Sequence, residues 1–196
     1  NLTTAHIAGL ASPQVVGLST AQLAAITTAQ VAGLGTAQLN ALSSTQTAAM
    51  TTAQLGQFST TQLGGLSTAG VKGLTTAQLA ALTTAQITGL GTAQIGALST
   101  TQVAAIETAD LAAMTTTQLR ALASSQAAAL TTAQVANLTT TQAAGLATTQ
   151  IAGLTSTQTA AVTTAQLAAL SSTQLASLST NAVKAITSAG IAALDT

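Results

Sequence analysis

The sequence contains no cysteine, which excludes disulfide bonds, thiolate metal ligands and cysteine redox chemistry. Charged residues are almost as scarce: three basic and three acidic side chains amount to 3% of the chain, and the net charge is zero. An average globular protein is about 25% charged. Because nucleic-acid affinity depends largely on Lys and Arg, we expect no nucleic-acid partner.

Long apolar runs are also missing, because Thr, Ser and Gln interrupt the apolar residues every few positions. A transmembrane helix requires about 18 or more consecutive apolar residues, so we expect no membrane span. Nevertheless 47% of the residues are apolar, unlike disordered chains of low hydrophobicity and high net charge. The composition therefore predicts a chain that folds or associates, although no signal peptide or initiator Met indicates where it acts.

Eight-residue repeats account for the whole sequence. Residues 3–194 read as 24 consecutive octads without an insertion, with the consensus Thr-Thr-Ala-Gln-Leu-Ala-Ala-Leu. Position eight is apolar in every octad, position five is usually Leu, Ile or Val, and positions six and seven are mostly Ala or Gly. Residues at both termini read as parts of further octads. We therefore expect residues 1–196 to form one continuous array that is an excerpt of a longer repeat region.

The spacing of the apolar residues favours helices over strands. Positions five and eight are three residues apart, so they share a face of a helix but lie on opposite faces of a strand. One continuous helix is excluded, since at about 100° per residue the apolar stripe drifts by ~80° in each octad. The chain must therefore break and change direction once per octad.

Thr or Ser at position one, with Gln three residues later, is the capping-box pattern that begins a helix. Position one is thus the predicted N-cap, and positions two to eight are predicted to form a helix of about seven residues. The charged residues follow the helix dipole, with acids near the N-terminus and bases towards the C-terminus. These residues are Glu107, Asp110 and Asp195, and Lys72, Arg120 and Lys184. The single proline, Pro13, falls in a first helical turn, where its ring is tolerated.

Together these patterns predict an all-α repeat solenoid of very short helices, one per octad, with a β-solenoid as the alternative. Such short helices are unstable alone and must stack on their neighbours. The predicted core residues are Leu82, Leu90, Leu98 and Ile106 from position eight, and Leu79, Ile87, Ile95 and Val103 from position five.

Position four is Gln in 19 of the 24 octads, and two interpretations of this column stay open. The amides either complete capping boxes or form a ladder of side-chain hydrogen bonds, and the two are compatible. The candidate capping or ladder residues are Gln78, Gln86, Gln94 and Gln102, with Thr75 and Thr83 as N-caps.

No combination of residues predicts catalysis. His6, the single histidine, occupies a glutamine position, and the nearest acids, Glu107 and Asp110, lie about a hundred residues away in sequence. The many Ser and Thr hydroxyls lack a base to activate them, and capping explains their spacing. We therefore predict that the chain is not an enzyme and has no cofactor, metal site or small-molecule substrate.

The run TTAQLAAL-TTAQITGL-GTAQIGAL resembles the octapeptide arrays of very large bacterial secreted or surface proteins similar to adhesins, sheath and surface-layer proteins. This resemblance implies a structural repeat region of an extracellular filament, sheath, matrix or adhesin stalk. We expect the chain to act by self-association, with itself as partner, because its few charges cannot oppose contact between copies. The alternatives are an ice- or surface-binding solenoid and a passive spacer.

Overall fold

The computed structural model of the chain describes residues 3–194, and over that range it contains 24 short α-helices and no strand. The prediction of an all-α repeat solenoid is confirmed, and the β-solenoid alternative finds no support. Each octad forms one helix, so the sequence repeat and the structural repeat coincide.

The chain divides into two compact units, and the first runs to Ala105. Its thirteen helices are α1 Thr4–Ala8, α2 Ser12–Val16, α3 Thr20–Ala25, α4 Thr28–Val31, α5 Thr36–Asn40, α6 Ser44–Ala49, α7 Thr52–Leu55, α8 Thr60–Gly64, α9 Thr68–Gly73, α10 Thr76–Ala80, α11 Thr84–Thr88, α12 Thr92–Ala97 and α13 Thr100–Ala104.

The second unit starts at Ile106. Its eleven helices are α14 Thr108–Ala113, α15 Thr116–Arg120, α16 Ser124–Ala127, α17 Thr132–Ala136, α18 Thr140–Gly145, α19 Thr148–Ala152, α20 Ser156–Ala161, α21 Thr164–Ala168, α22 Ser172–Ala176, α23 Thr180–Lys184 and α24 Ser188–Ala192. In the sequence the octads continue across the boundary between the two units without an insertion. That residues 1–196 form one continuous array remains a prediction.

Every helix begins after an N-cap at position one, where the backbone is extended; Thr75, for example, has φ −73° and ψ 160°. The helices are four to six residues long, so the predicted length of about seven residues is wrong. Position eight lies outside every helix, and position seven also lies outside the helices of five residues or fewer. Wherever position eight is the C-cap its backbone is extended rather than helical, as at Leu98 with ψ 145°.

The helix ends early because position eight must enter the core and also begin a corner. Its N–H turns back to the position-five carbonyl, three residues earlier, as in the 3.2 Å bond from Leu98 to Ile95. This tight last turn leaves two extended residues, positions eight and one, to redirect the chain. No described residue has a positive φ, so the corner does not depend on left-handed glycine.

Helices stack on the helices three octads away, so three helices make one turn of each unit. In the first unit the stacked columns are α1-α4-α7-α10-α13, α2-α5-α8-α11 and α3-α6-α9-α12. In the second unit they are α14-α17-α20-α23, α15-α18-α21-α24 and α16-α19-α22. A turn therefore takes 24 residues in either unit, a number that the octad itself does not specify.

Positions five and eight lie inside these stacks. The structure buries Leu79, Ile87, Ile95 and Val103 completely, and it leaves Leu82, Leu90, Leu98 and Ile106 at most 5% exposed. Positions one, two, three and six mostly face outwards. The apolar stripe therefore forms the interior of each unit.

Four octads depart from the usual apolar residue at position five. Thr47 and Thr159 are buried, and each donates its hydroxyl to the carbonyl of its own N-cap at 3.1 and 3.0 Å. Ala127 and Ala143 instead border an apolar cavity of about 20 Å³ in the second unit. The interior of a unit thus accommodates, at position five, either a hydroxyl group that bonds to its own N-cap or an alanine that leaves a small cavity.

Position seven carries small residues because it lies against position two of the helix three octads earlier. A Cβ added to Gly65 would come within 2.8 Å of the Thr36 Cβ, and one added to Gly89 within 2.9 Å of the Thr60 Cβ. The approach is closest where α9 crosses α6: a Cβ on Gly73 would overlap the backbone of Ser44. Close stacking here requires a glycine.

We predict that Gly73→Ala destabilises the first unit by about 2 kcal/mol or more, although alanine is the better helix former and occupies position seven in many octads. The added methyl group meets Ser44 backbone, which cannot rotate away as a side chain can. Gly17→Ala is the matched control, because the nearest atoms to its Cβ are carbonyls of its own octad at 3.4 Å or more. Urea unfolding of both variants tests this, and equal stability would contradict it.

The glutamine column as candidate functional site

The glutamine side chains of position four, here called the glutamine column, each bond to the N-cap of their own helix. Gln78 Oε1 accepts the Thr75 N–H at 2.7 Å, and the Thr75 hydroxyl accepts the Gln78 N–H at 3.1 Å. Gln86 and Thr83 make the same two bonds at 2.9 and 3.3 Å. These reciprocal bonds satisfy two of the N–H groups that a helix start leaves unpaired.

In most of these glutamines the other end of the amide reaches a different turn. Gln94 Nε2 donates to the carbonyls of Leu63 and Leu66 at 2.9 and 2.7 Å, and Gln102 Nε2 donates to those of Val71 and Leu74 at 3.0 and 2.6 Å. The acceptors lie 31 and 28 residues earlier, at positions five and eight of the octad four repeats before. The column therefore ties successive turns together.

This connection solves a problem that very short helices create. A helix of five residues leaves most of its C-terminal carbonyls without an internal partner. Each helix stacks on the helix three octads earlier in the chain. The N-terminus of that earlier helix directly follows the corner at the end of the octad four repeats before. A glutamine at the start of one helix thus lies above that corner, and its amide serves a helix start and a helix end together.

The four predicted column residues donate to backbone carbonyls, not to one another. Gln78 bonds to Thr47, Ala48 and Met50, and Gln86 bonds to Leu55 and Phe58. All four side chains are buried, at 3 to 5% exposure. These four glutamines therefore do not form a ladder of amide-to-amide hydrogen bonds, because each amide donates to backbone carbonyls.

The glutamine side chain still caps the helix in octads whose position-one residue has no hydroxyl group. Position one is Ala or Gly in five octads, and each of these N–H groups still donates to a glutamine Oε1 at 2.6 to 2.8 Å. The five N-caps are Ala11, Gly35, Gly91, Ala123 and Ala147. Glutamine is thus the more constant of the two capping partners.

Histidine at position four reproduces half of the glutamine function. His6 Nδ1 accepts the Thr3 N–H at 3.0 Å, as Oε1 does elsewhere, and the side chain is exposed. Among residues 3–194, no three His, Asp or Glu side chains come together as a metal ion would require. The geometry places His6 in a capping role.

The charged residues lie where the helix dipole favours them. Asp110 is buried in the first turn of α14, whose N-cap is Glu107, while Lys72, Arg120 and Lys184 lie in last turns. Asp195 is outside the described residues. Within residues 3–194, every helix is too short or too polar to cross a membrane.

Position two is Thr or Ser in all 24 octads and is mostly exposed, and the capping and core predictions gave it no role. It is the first helical residue and not the cap, so capping does not explain it. Its side chain supports position seven of the next turn, as Thr36 does beneath Gly65. In the first turn its hydroxyl also bonds across, from Ser12 to the Ala37 carbonyl at 3.2 Å. The presence of Thr or Ser at position two in every octad was the feature of the sequence that indicated a structural role.

Comparison with protein families connects this geometry with a known repeat. Five stretches match the ALTTAQ repeat, and together they cover most of the chain: residues 18–52, 48–84, 76–105, 103–140 and 160–196. The chain belongs to the ALTTAQ repeat family. The six letters of the name correspond to Ala81 through Gln86, which run from the end of α10, around a corner, to the buried amide of α11.

The ALTTAQ pattern extends structurally beyond the matched stretches. Residues 141–159 are not matched, yet Gln142, Gln150 and Gln158 make the same bonds to carbonyls 31 and 28 residues earlier. A search among curated proteins gave no match. The ALTTAQ family assignment therefore establishes a repeat protein, and the role of that repeat must be argued from its surfaces.

Proposed function

We propose that this ALTTAQ array is a structural element of an extracellular filament, sheath, matrix or adhesin stalk, and that it acts by self-association. The observation that carries the proposal is the chemistry of the outward positions. Positions one, two, three and six are mostly Thr, Ser, Ala and Gly, and six charged residues are spread over the 196-residue chain. Such a surface permits close approach and offers little charge repulsion between copies.

The use of the polar groups supports a structural role over a catalytic one. The glutamines cap helices and join turns, the position-one hydroxyls complete the caps, and the position-two side chains support the next turn. Catalysis requires a nucleophile, acid or base placed beside a partner in a cleft. In our proposal the repeating side chains are used to build the stack.

An extracellular location is part of the proposal and is supported by the resemblance to bacterial surface arrays. The lack of cysteine and the low content of charged residues agree with that setting. A passive spacer would benefit from a charged surface that keeps copies apart, which this chain lacks.

We expect the chain to assemble through apolar and hydroxyl contacts, so assembly persists as salt rises from low concentration to about 1 M, where exposed charges are screened. Guanidinium should weaken it, because guanidinium solvates both apolar and peptide groups. Sedimentation velocity and light scattering across both series make the test, with circular dichroism to separate dissociation from unfolding. A monodisperse monomer at every salt concentration would favour the passive spacer.

A further inference from the structure

Asn137 differs from most residues at position seven, which are Ala or Gly. It is followed by Leu138 and Thr139, so the three residues match the Asn-X-Thr pattern of N-glycosylation acceptors. The octad favours this pattern, because position eight is mostly Leu and position one is mostly Thr or Ser. Residues 1–3 have the same pattern at the same octad positions, outside the described residues. An asparagine at position seven thus completes an acceptor sequence that the rest of the corner already contains.

The corner presents both polar side chains of this pattern to solvent. Helix α17 ends at Ala136, and Asn137 is its C-cap, with φ −93° and ψ −1°. Thr139 is the N-cap of α18 and has an extended backbone, with φ −66° and ψ 157°. Asn137 and Thr139 are exposed, whereas Leu138 between them is buried and anchors the corner in the core. The acceptor amide and the hydroxyl therefore lie at the surface, on either side of one fixed residue.

The hydrogen bonds of the two side chains leave their reacting groups available. Asn137 Nδ2 donates to the Ala133 carbonyl at 2.8 Å, and this bond lies at the surface, where water can replace it. Thr139 Oγ1 accepts the Gln142 N–H at 3.1 Å. Among the described residues the Thr139 O–H has no acceptor, unlike the hydroxyl of Thr115, which also donates to its glutamine at 3.0 Å. The Thr139 hydroxyl can therefore donate to a modifying enzyme while it still caps α18.

Small side chains surround Asn137 on the outside of its column. Helices α14 and α20 stack on α17, on either side of it. The other residues at positions six and seven of these three octads are all alanines: Ala112, Ala113, Ala136, Ala160 and Ala161. A bulky group attached to the Asn137 amide thus meets no large neighbour at the equivalent positions of the adjacent turns.

We propose that Asn137 is an N-glycosylation site, which receives a sugar from a glycosyl phosphate donor through a separate glycosyltransferase. In the transfer, Nδ2 forms a bond to the anomeric carbon, and the bond from that carbon to the phosphate oxygen breaks. The phosphate leaves with the electron pair, and Nδ2 releases one proton. The product adds a bulky hydrated group to a surface that has almost no charge. This inference goes beyond the proposed structural role and does not require self-association.

The test is peptide mass spectrometry of the full-length protein purified from the organism that produces it. Trypsin cleavage after Arg120 and Lys184 should release residues 121–184 as one peptide. We expect this peptide to be heavier than its sequence mass by at least one sugar, and fragmentation by electron transfer should place the sugar on Asn137. Asn181 is the internal control, because it is exposed in the same peptide but lacks the acceptor pattern.

The same measurement has outcomes that overturn the proposal. An unmodified Asn137 overturns it, as does a sugar found on Asn181 instead or only on Ser and Thr. An unmodified Asn137 in a chain that still assembles across the salt series refutes this inference and leaves the proposed function standing. Modification already present in the intracellular protein assigns a nucleotide-linked donor, whereas modification confined to exported protein assigns a lipid-linked donor.

Two variants at Thr139, produced in the same organism, separate the acceptor pattern from helix capping. Thr139→Asp keeps a good N-cap residue but removes the hydroxyl, so we expect loss of the sugar from Asn137. Thr139→Ser keeps both the cap and the hydroxyl, so the sugar should remain. Circular dichroism should show the same helix content in both variants. Equal modification of the two variants would overturn Asn137 as an acceptor of the Asn-X-Thr type.

Discussion

Leu90→Asp should unfold the turns around α11 and lower the free energy of unfolding of the first unit by about 4 kcal/mol or more. Leu90 is 2% exposed at position eight, so the new carboxylate would lie in the apolar interior without a cationic partner. A buried, unpaired charge costs far more than the packing of the leucine that it replaces. Hydrogen exchange followed by mass spectrometry localises the effect, because a repeat stack can open locally while distant turns persist.

Thr88→Asp is the matched control, since Thr88 lies two residues earlier at position six of the same octad and is exposed. It introduces the same charge into the same octad without burial, and its effect should stay within about 1 kcal/mol, the size of an unfavourable interaction with the C-terminal end of the helix dipole. If Leu90→Asp exchanges no faster than Thr88→Asp around α11, position eight is not the core of this stack.

Gln94→Leu should lower the free energy of unfolding by about 2–4 kcal/mol, since each buried backbone group left unpaired costs roughly 1–3 kcal/mol. The substitution keeps a similar volume but removes the acceptor for the Gly91 N–H and the donor to the Leu63 and Leu66 carbonyls. Gly91 supplies no capping hydroxyl, so this octad has no second capping partner. Urea unfolding gives the size of the effect, and hydrogen exchange should be accelerated at Gly91 and at the corner after Leu66.

Gln57→Leu controls for the same chemical change at an exposed position seven. This variant should unfold within about 0.5 kcal/mol of the parent. Loss of protection at Gly91 without any change near Leu66 would show that only the capping half of the amide matters, and it would remove the connection between turns from our account.

Octad nine, residues 67–74, has no glutamine at position four, and closer packing of its helix accompanies the missing amide. Gly70 occupies position four there, so octad nine has no glutamine amide to donate to the corner that ends at Leu42. The Gly70 N–H is still capped by the Ser67 hydroxyl at 3.0 Å, and Gly73 lets α9 approach the backbone of α6. In octad nine a closer contact between α9 and α6 thus occurs where the glutamine amide is missing. Gly73→Ala is expected to be destabilising because the added methyl group would disrupt that contact.

The sequence alone determined what each octad does by itself. The N-cap at position one, the reciprocal bonds between positions one and four, and the apolar face of positions five and eight depend on residues at most seven positions apart. Such short-range hydrogen bonds and helical periodicity follow from residue types and spacing, so Thr75, Gln78, Leu79 and Leu82 were assigned from the pattern. The predicted helix was too long because position eight packs inwards and also turns the corner.

Only the tertiary structure decided how the octads meet. Three helices per turn, the reach of Gln94 to carbonyls 28 and 31 residues earlier, and the contact of position seven with position two depend on the angle of each corner. The octads are chemically alike, so the sequence does not distinguish pairing with the second, third or fourth neighbour. The extended geometry of positions eight and one selects one pairing, and burial of the glutamine amides stabilises it.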